Sequence, residues 1–311
     1  MEVLNTFFIA PFIDMGSDLI FLLEVIIGGM MAGIMYSLVA LGFVLILKAS
    51  GVFNYAQGAM VLFAALTLVG LMERHVPLVL AIILTMGVMV GLAFLIERFM
   101  LRKLVNQAQI ILFMAAIGLN FVLEGAGQIA WGSDVKKLDV GIPEVSFDVG
   151  GVLLNSFDLF AACTAALLVA VLALFFQKTP TGRALRAVAD DHQAALAVGI
   201  PLNTIWVIVW SVAGFVALAA GIMWGGKAGV QFSLVLIALK ALPVLILGGF
   251  ESVPGAIIGG LLIGIFEKIS EVYWGPAFGG AIEGWFAYMA ALIFLMFRPQ
   301  GLFGEKIIER V

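Results

Sequence analysis

Residues 205–224 read IWVIVWSVAGFVALAAGIMW, twenty positions without a charged side chain. As a helix that stretch rises about 30 Å, the thickness of a bilayer's hydrocarbon core. Comparable apolar stretches recur at roughly 19–47, 52–72, 78–96, 109–130, 159–176, 234–250, 255–266 and 285–297. The expected fold is therefore all-α: a polytopic membrane helix bundle of about eight to ten spans. It has room for broken helices, and 1–311 is read as a single transmembrane domain. Only 12% of residues are charged and 63% are hydrophobic, against about 25% charged in soluble domains. A water-soluble fold would lack the polar surface to cover that core. The first span is long enough to tilt or kink, and the last two are short.

Basic residues orient the spans. If 99–108, 177–204 and the C-terminal tail are cytoplasmic, that side carries Lys48, Arg98, Arg102, Lys103, Lys178, Arg183, Arg186, Arg298, Lys306 and Arg310. The other side carries Arg74, Lys136, Lys137, Lys227 and Lys268, and Lys240 falls within a span. Nine crossings then place the N-terminus and the acidic 131–158 loop outside. Residues 1–18 open with Glu2 and carry Asp14 and Asp18, which does not suit a signal peptide. They read as a lead along the membrane surface. The lone Cys163 leaves no disulfide framework. The net charge of −4 says nothing about nucleic acid, and no basic run suggests it.

Two glycine-bearing polar interruptions follow long aliphatic runs: KASGVFNYAQGAM at 48–60 and LGGFESVPGAIIGG at 247–260. Two readings are open for each. One is unwound backbone lining a cavity; the other is an ordinary cytoplasmic turn. Asn54, Gln57, Gly58 and Asn120 are the candidate residues of a solute pathway, with hydrogen bonding inside a packed bundle as the alternative. Glycines 255, 259, 260 and 264 repeat at helical spacing, which lets another backbone approach closely. Glu24, Glu124 and Lys240 lie in apolar surroundings, where an unpaired charge is costly. Internal pairing, a proton- or substrate-linked role, and position near an outer helix end are the open readings.

Nothing resembles an enzyme site. His75 and His192 are far apart, no metal-ligand spacing occurs, and no Gly-x-x-x-x-Gly-Lys-Ser/Thr run is present. The chain has no nucleotide motif of its own.

One passage stands apart: TGRALRAVADDHQAALAVGI, 181–200, polar and helix-forming between two spans. Thr181 suits an N-cap, and Gly199 with Pro201 supplies a stop. Leu185, Val188, His192, Ala195 or Leu196, and Gly199 share a stripe. On this topology the helix lies within a cytoplasmic loop, 177–204. It is either a partner's docking element or a connector on the headgroups.

The end of that passage, QAALAVG, resembles the Glu-Ala-Ala-x-x-x-Gly coupling signature of ABC importer permeases, with Gln193 in place of Glu. GIMYSLVALGFVLILKASGVFNYAQGAMVLFAA (33–65), IERFMLRKL (96–104), LKALPVLILGGFESVPGAIIGGLLIGIFE (239–267) and FRPQGLFG (297–304) resemble the branched-chain amino acid permease family, its LivH-like subunit above all. Gln57 stands where family members usually carry histidine. The resemblance implies a multi-pass bacterial inner-membrane permease with a cytoplasmic C-terminus. A periplasmic solute-binding protein would deliver branched-chain or related small amino acids. A second homologous permease would complete a heterodimer, and two cytoplasmic ATPase subunits would use ATP and Mg, with no cofactor on this chain. It also implies ATPase coupling through Arg183, Arg186, Asp190, Gln193, Ala194, Ala195 and Gly199. Urea, short amides and other small organic solutes are alternative cargoes within the family. An ion-coupled secondary transporter is the alternative of another class.

Overall fold

A computed structural model describes residues 7, 9–104, 107–143, 145–190 and 192–304, without the side chains of Asp190, His192 and Gln193. Lys306 and Arg310, counted above in the orientation, lie outside the described residues. A short helix α1 (Ala10–Ser17) precedes α2 (Leu19–Ser50), α3 (Gln57–Glu73), α4 (Leu78–Phe99) and α5 (Gln109–Trp131). Strands β1 (Ser146–Val149) and β2 (Val152–Asn155) lead into α6 (Ser156–Lys178), α7 (Pro180–Asp190), α8 (His192–Ala197) and α9 (Leu202–Ala228). A 3-10 turn, Phe232–Leu236, opens α10 (Ile237–Gly248), followed by α11 (Val253–Tyr273), α12 (Gly275–Phe278) and α13 (Glu283–Phe297).

Among the described residues, one apolar helix falls on each of the nine expected spans. Six are long and apolar enough to cross a membrane; α3, α10 with its 3-10 turn, and α13 are shorter. Two expected lengths are corrected. The second span begins at Gln57, not at 52, because Gly51 turns left-handed (φ 66°) and residues 52–56 form the connection. The eighth is not short: α11 continues to Tyr273 through Glu267, Lys268 and Glu271. Each of these charges finds a partner within the fold, so the helix carries them without an unpaired charge.

The chain forms two compact units. The first takes the described residues of Met1–Ser37, Ile142–Ala166 and Lys240–Val311; the second takes those of Leu38–Gly141 and Leu167–Leu239.

In the first unit, glycine carries the helix packing. A Cβ at Gly29 would lie 2.8 Å from the Gly264 carbonyl oxygen, and one at Gly33 would strike the Gly260 oxygen. The two helices α2 and α11 therefore meet backbone to backbone, each presenting glycines four residues apart. Gly255 and Gly259 of α11 serve another contact, against Gly248 and Val244 of α10. The glycine run thus divides between two neighbours. The second interruption is a capped turn: Ser252 Oγ accepts from Gly255 N at 3.0 Å, with Gly249 left-handed before it (φ 104°). Strands β1 and β2, not anticipated from the sequence, pair antiparallel through a two-residue Gly150–Gly151 turn with both φ positive.

In the second unit α3 is the central helix, buried over most of its length and packed by α4, α5 and α9. Gly221 of α9 lets its backbone approach Ala65 and Val61, and Gly70 of α3 leaves room for Trp131. The Glu73–Lys136 ion pair (2.6 Å) and the Lys136–Val230 backbone pairing gather the connections after α3, α5 and α9 at one end. Trp206 Nε1 donates to the Ala49 oxygen (3.1 Å), joining the start of α9 to the end of α2 at the other. Within this unit the loops sort as the parity of the spans requires.

Candidate functional site

The Asn54–Gly58 turn follows from its residues. Helix α2 ends at Gly51, and the chain re-enters helix at Gln57 with Asn54 O accepting from Gln57 N (3.1 Å). Asn54 and Gln57 are wholly buried. Asn54 Nδ2 donates to Gln57 Oε1 at 3.0 Å, and Gln57 Nε2 reaches the Ala213 oxygen at 3.5 Å. Gly42 makes space for the Gln57 amide, since a Cβ there would lie 2.6 Å from Nε2. Gly58 lies directly against the Val235 oxygen, with no room for any side chain. Asn120, also buried, donates to Glu124 one helical turn on, so Glu124 is paired. Asn54 and Asn120 share no hydrogen bond among the described residues. The turn is a closed amide pair in this conformation. Replacing Gln57 by Leu removes a partner from a buried Asn54, a loss of about 1–3 kcal/mol. Gln57→Leu is expected to lower the thermal midpoint of the purified protein. Unchanged stability with slowed uptake would instead mark Gln57 as a pathway residue.

The helix of the 181–200 passage begins two residues earlier than expected. Pro180 takes the first helical position, and Thr179, not Thr181, is the cap, its Oγ1 accepting from Gly182 N at 3.0 Å. Gly182 is required because a side chain would strike the Phe175 and Phe176 carbonyls. Arg186 donates to the Phe176 oxygen and Arg183 to the Lys178 oxygen (3.5 Å), so both cap the C-terminal carbonyls of α6. Leu185, Val188 and Ala195 are buried on the inner stripe. Helix α8 ends in a turn in which Ile200 N donates to the Ala195 oxygen (3.0 Å) and Gly199 is left-handed (φ 84°). Arg183, Ala194 and Gly199 face outward, while Arg186 is half-buried. Asp190 and Gln193 were named as coupling residues; their side chains lie outside those described. Of the two residues offered for the stripe, Ala195 takes it, and Leu196 (54% exposed) joins the outer face with Val198 (75%), which was not named from the sequence.

A third group sits in the first unit. Lys240 Nζ donates to Glu267 Oε1 (2.9 Å), Glu283 Oε1 (3.1 Å) and Tyr36 Oη (3.4 Å). The Tyr36 hydroxyl donates to Glu267 Oε1 (3.2 Å), and Lys268 lies 3.5 Å from Glu283 Oε2. Lys240 is therefore internally paired, as one of the open readings held. Its partners were missed. Glu267 continues the Gly260–Gly264 face of α11 by three residues, a spacing that marks it as facing inward. Glu24 is paired too, its Oε2 accepting from Leu153 N at 3.0 Å in the hairpin.

The model of a family described as "Branched-chain amino acid transport system / permease component" matches residues 25–297. The high-affinity branched-chain amino acid transport system permease protein BraD of Pseudomonas aeruginosa is 28% identical over 305 residues, which cover 93% of this chain and 98% of BraD. Its counterpart LivH of Escherichia coli K12 is 26% identical over 317 residues, covering 96% and 100%. A probable branched-chain amino acid transport permease, LivH of Methanocaldococcus jannaschii, is 28% identical over 280 residues, covering 86% and 88%.

Proposed function

The chain belongs to the permease-component family of branched-chain amino acid transport systems, and from that premise we propose that it is one of two different permease subunits of an ATP-driven importer. It is a multi-pass inner-membrane protein of the LivH-like type. A periplasmic binding protein delivers a branched-chain or related small amino acid, and this chain, acting as one transmembrane domain with its C-terminus in the cytoplasm, helps form the path. Two cytoplasmic ATPases bind ATP and Mg; this chain binds neither.

The observation that carries the coupling step is the apolar outer face of α8. Leu196 and Val198 project from a polar segment between two spans, uncovered by the chain's own core. Such a patch marks a protein contact, and an ATPase surface is the partner that the family supplies. Arg186 and the capped Gly182 turn brace α7 against α6, so a push on α8 passes into the bundle through packed groups. Any side chain at Gly199 would strain its left-handed backbone, so Val198 probes the surface more cleanly.

In proteoliposomes holding both permeases, the ATPases and the binding protein, labelled leucine should accumulate only with ATP and be indifferent to a protonophore. Val198→Glu should weaken ATPase association about thirtyfold, the loss of a contact of about 2 kcal/mol, measured by titrating ATPase onto the permeases. Wild-type association in that variant would remove the coupling role, and uptake driven by a proton gradient without ATP would remove the importer.

A further inference from the structure

The Lys240 cluster is more than a clasp between helices, because one side of it is open. Glu267 is almost fully buried (side chain 4% exposed), but Lys240 and Glu283 each expose 34% of their side chains. A charged pair at the edge of an apolar helix is costly against hydrocarbon, so this edge faces water or protein. The four side-chain charges in mutual contact balance, Lys240 and Lys268 against Glu267 and Glu283, while Glu271 beside them is taken up by backbone N–H groups. The cluster offers a net anion or a net cation no excess of opposite charge. It suits a neutral dipole carrying both.

We propose that the Lys240–Glu283 pair receives the zwitterionic head of the transported amino acid. The solute carboxylate takes the Lys240 ammonium, and the solute ammonium takes the Glu283 carboxylate. This rests on the amino-acid importer reading above and names its recognition residues. An α-amino acid carries its two charges on one carbon, so it can span a pair already in contact at 3.1 Å. The exchange leaves no charge unpaired. Lys240 keeps Glu267 and Tyr36 as acceptors at 2.9 and 3.4 Å, and Glu283 keeps Lys268 on its other oxygen. The backbone at Glu283 stays in place as well. Glu271 accepts from the N–H groups of Ala281, Ile282 and Glu283 at 2.8, 2.7 and 2.9 Å, holding the start of α13. Both charged groups therefore stay aimed when their mutual contact opens.

The test uses the assembled importer in nanodiscs and proteoliposomes. Gly284 is exposed, with open space around it, next to Glu283. In a Cys163→Ser background, Gly284→Cys is labelled with a charged thiol reagent. Leucine should slow the labelling; leucinamide and 4-methylpentanoate, each with one of the two charges, should not. Glu283→Gln keeps an oxygen for Lys240 and removes the charge offered to the solute. It should abolish that protection and lower kcat/KM for leucine uptake by about 10–100-fold, the worth of one charge-assisted hydrogen bond. Labelling that ignores leucine in a complex that takes up leucine would overturn this proposal alone. So would a thiol closed to reagent with or without leucine, which would assign the edge to the second permease subunit. A wild-type complex that takes up no amino acid would overturn this proposal and the importer reading together.

Discussion

Gly29→Leu is expected to prevent the first unit from assembling, while Gly28→Leu, one position earlier on the same helix, leaves it intact. Both changes raise the helix propensity of α2 by the same amount, about 1 kcal/mol. They differ in what the new side chain meets. At Gly28 nothing lies within 4 Å, whereas at Gly29 even a Cβ would lie 2.8 Å from the Gly264 oxygen and from the Ile265 Cα. Those atoms belong to the backbone of α11 and cannot rotate away. Overpacking a filled contact costs about 1–3 kcal/mol for added methylenes, and a whole leucine between two backbones lies at or beyond the upper end. That is a large share of a typical stability. Fluorescence-detected size exclusion and a thermal melt of the two variants should separate them clearly. Equal melting would mean that α2 and α11 do not meet at these glycines.

Lys240→Met is the second large effect. It leaves Glu267, 4% exposed, with the Tyr36 hydroxyl as its remaining partner. Removing one member of a buried pair costs about 3–5 kcal/mol, because the other charge stays buried and uncompensated. The double variant Lys240→Met with Glu267→Gln should regain most of that loss. Glutamine still accepts from Tyr36, and Glu283 retains Lys268. The measurement is a double-mutant cycle on thermal stability. Additive losses would show that the two side chains do not interact.

These two expectations rest on contacts that the sequence did not show, although half of each was visible. The glycine run of α11 is legible as a close-packing face, but Gly29 and Gly33 opposite it are not, lying within a uniformly apolar stretch. Lys240 stood out because it interrupts such a stretch. Glu267 and Glu283 did not, since each sits near the end of one, where a charge looks like a helix boundary. In the cytoplasmic passage the helix and its stop at Gly199 were readable. Its true cap, Thr179, lies two residues before the polar passage. Arg183 and Arg186 looked available to a partner, yet both bond the end of α6. Ala195 was read as a partner-facing small residue and is buried in its own unit.

The sequence by itself determined the membrane class, the apolar stretches that become helices among the described residues, and the order of the loops within the second unit. Length and hydropathy run along one dimension, and a span needs only enough consecutive apolar residues to satisfy its backbone within lipid. The tertiary structure alone decided which residues meet. Lys240 finds Tyr36 from 204 positions away, and Gln57 finds the Ala213 oxygen from 156. Such contacts depend on how each helix is rotated about its axis. An amphipathic helix announces that rotation through its polar stripe; a helix that is apolar all round, as α2 is, does not. Its rotation is set by the fit of glycine backbones and the pairing of a few buried charges. Those fits exist only once the helices are side by side.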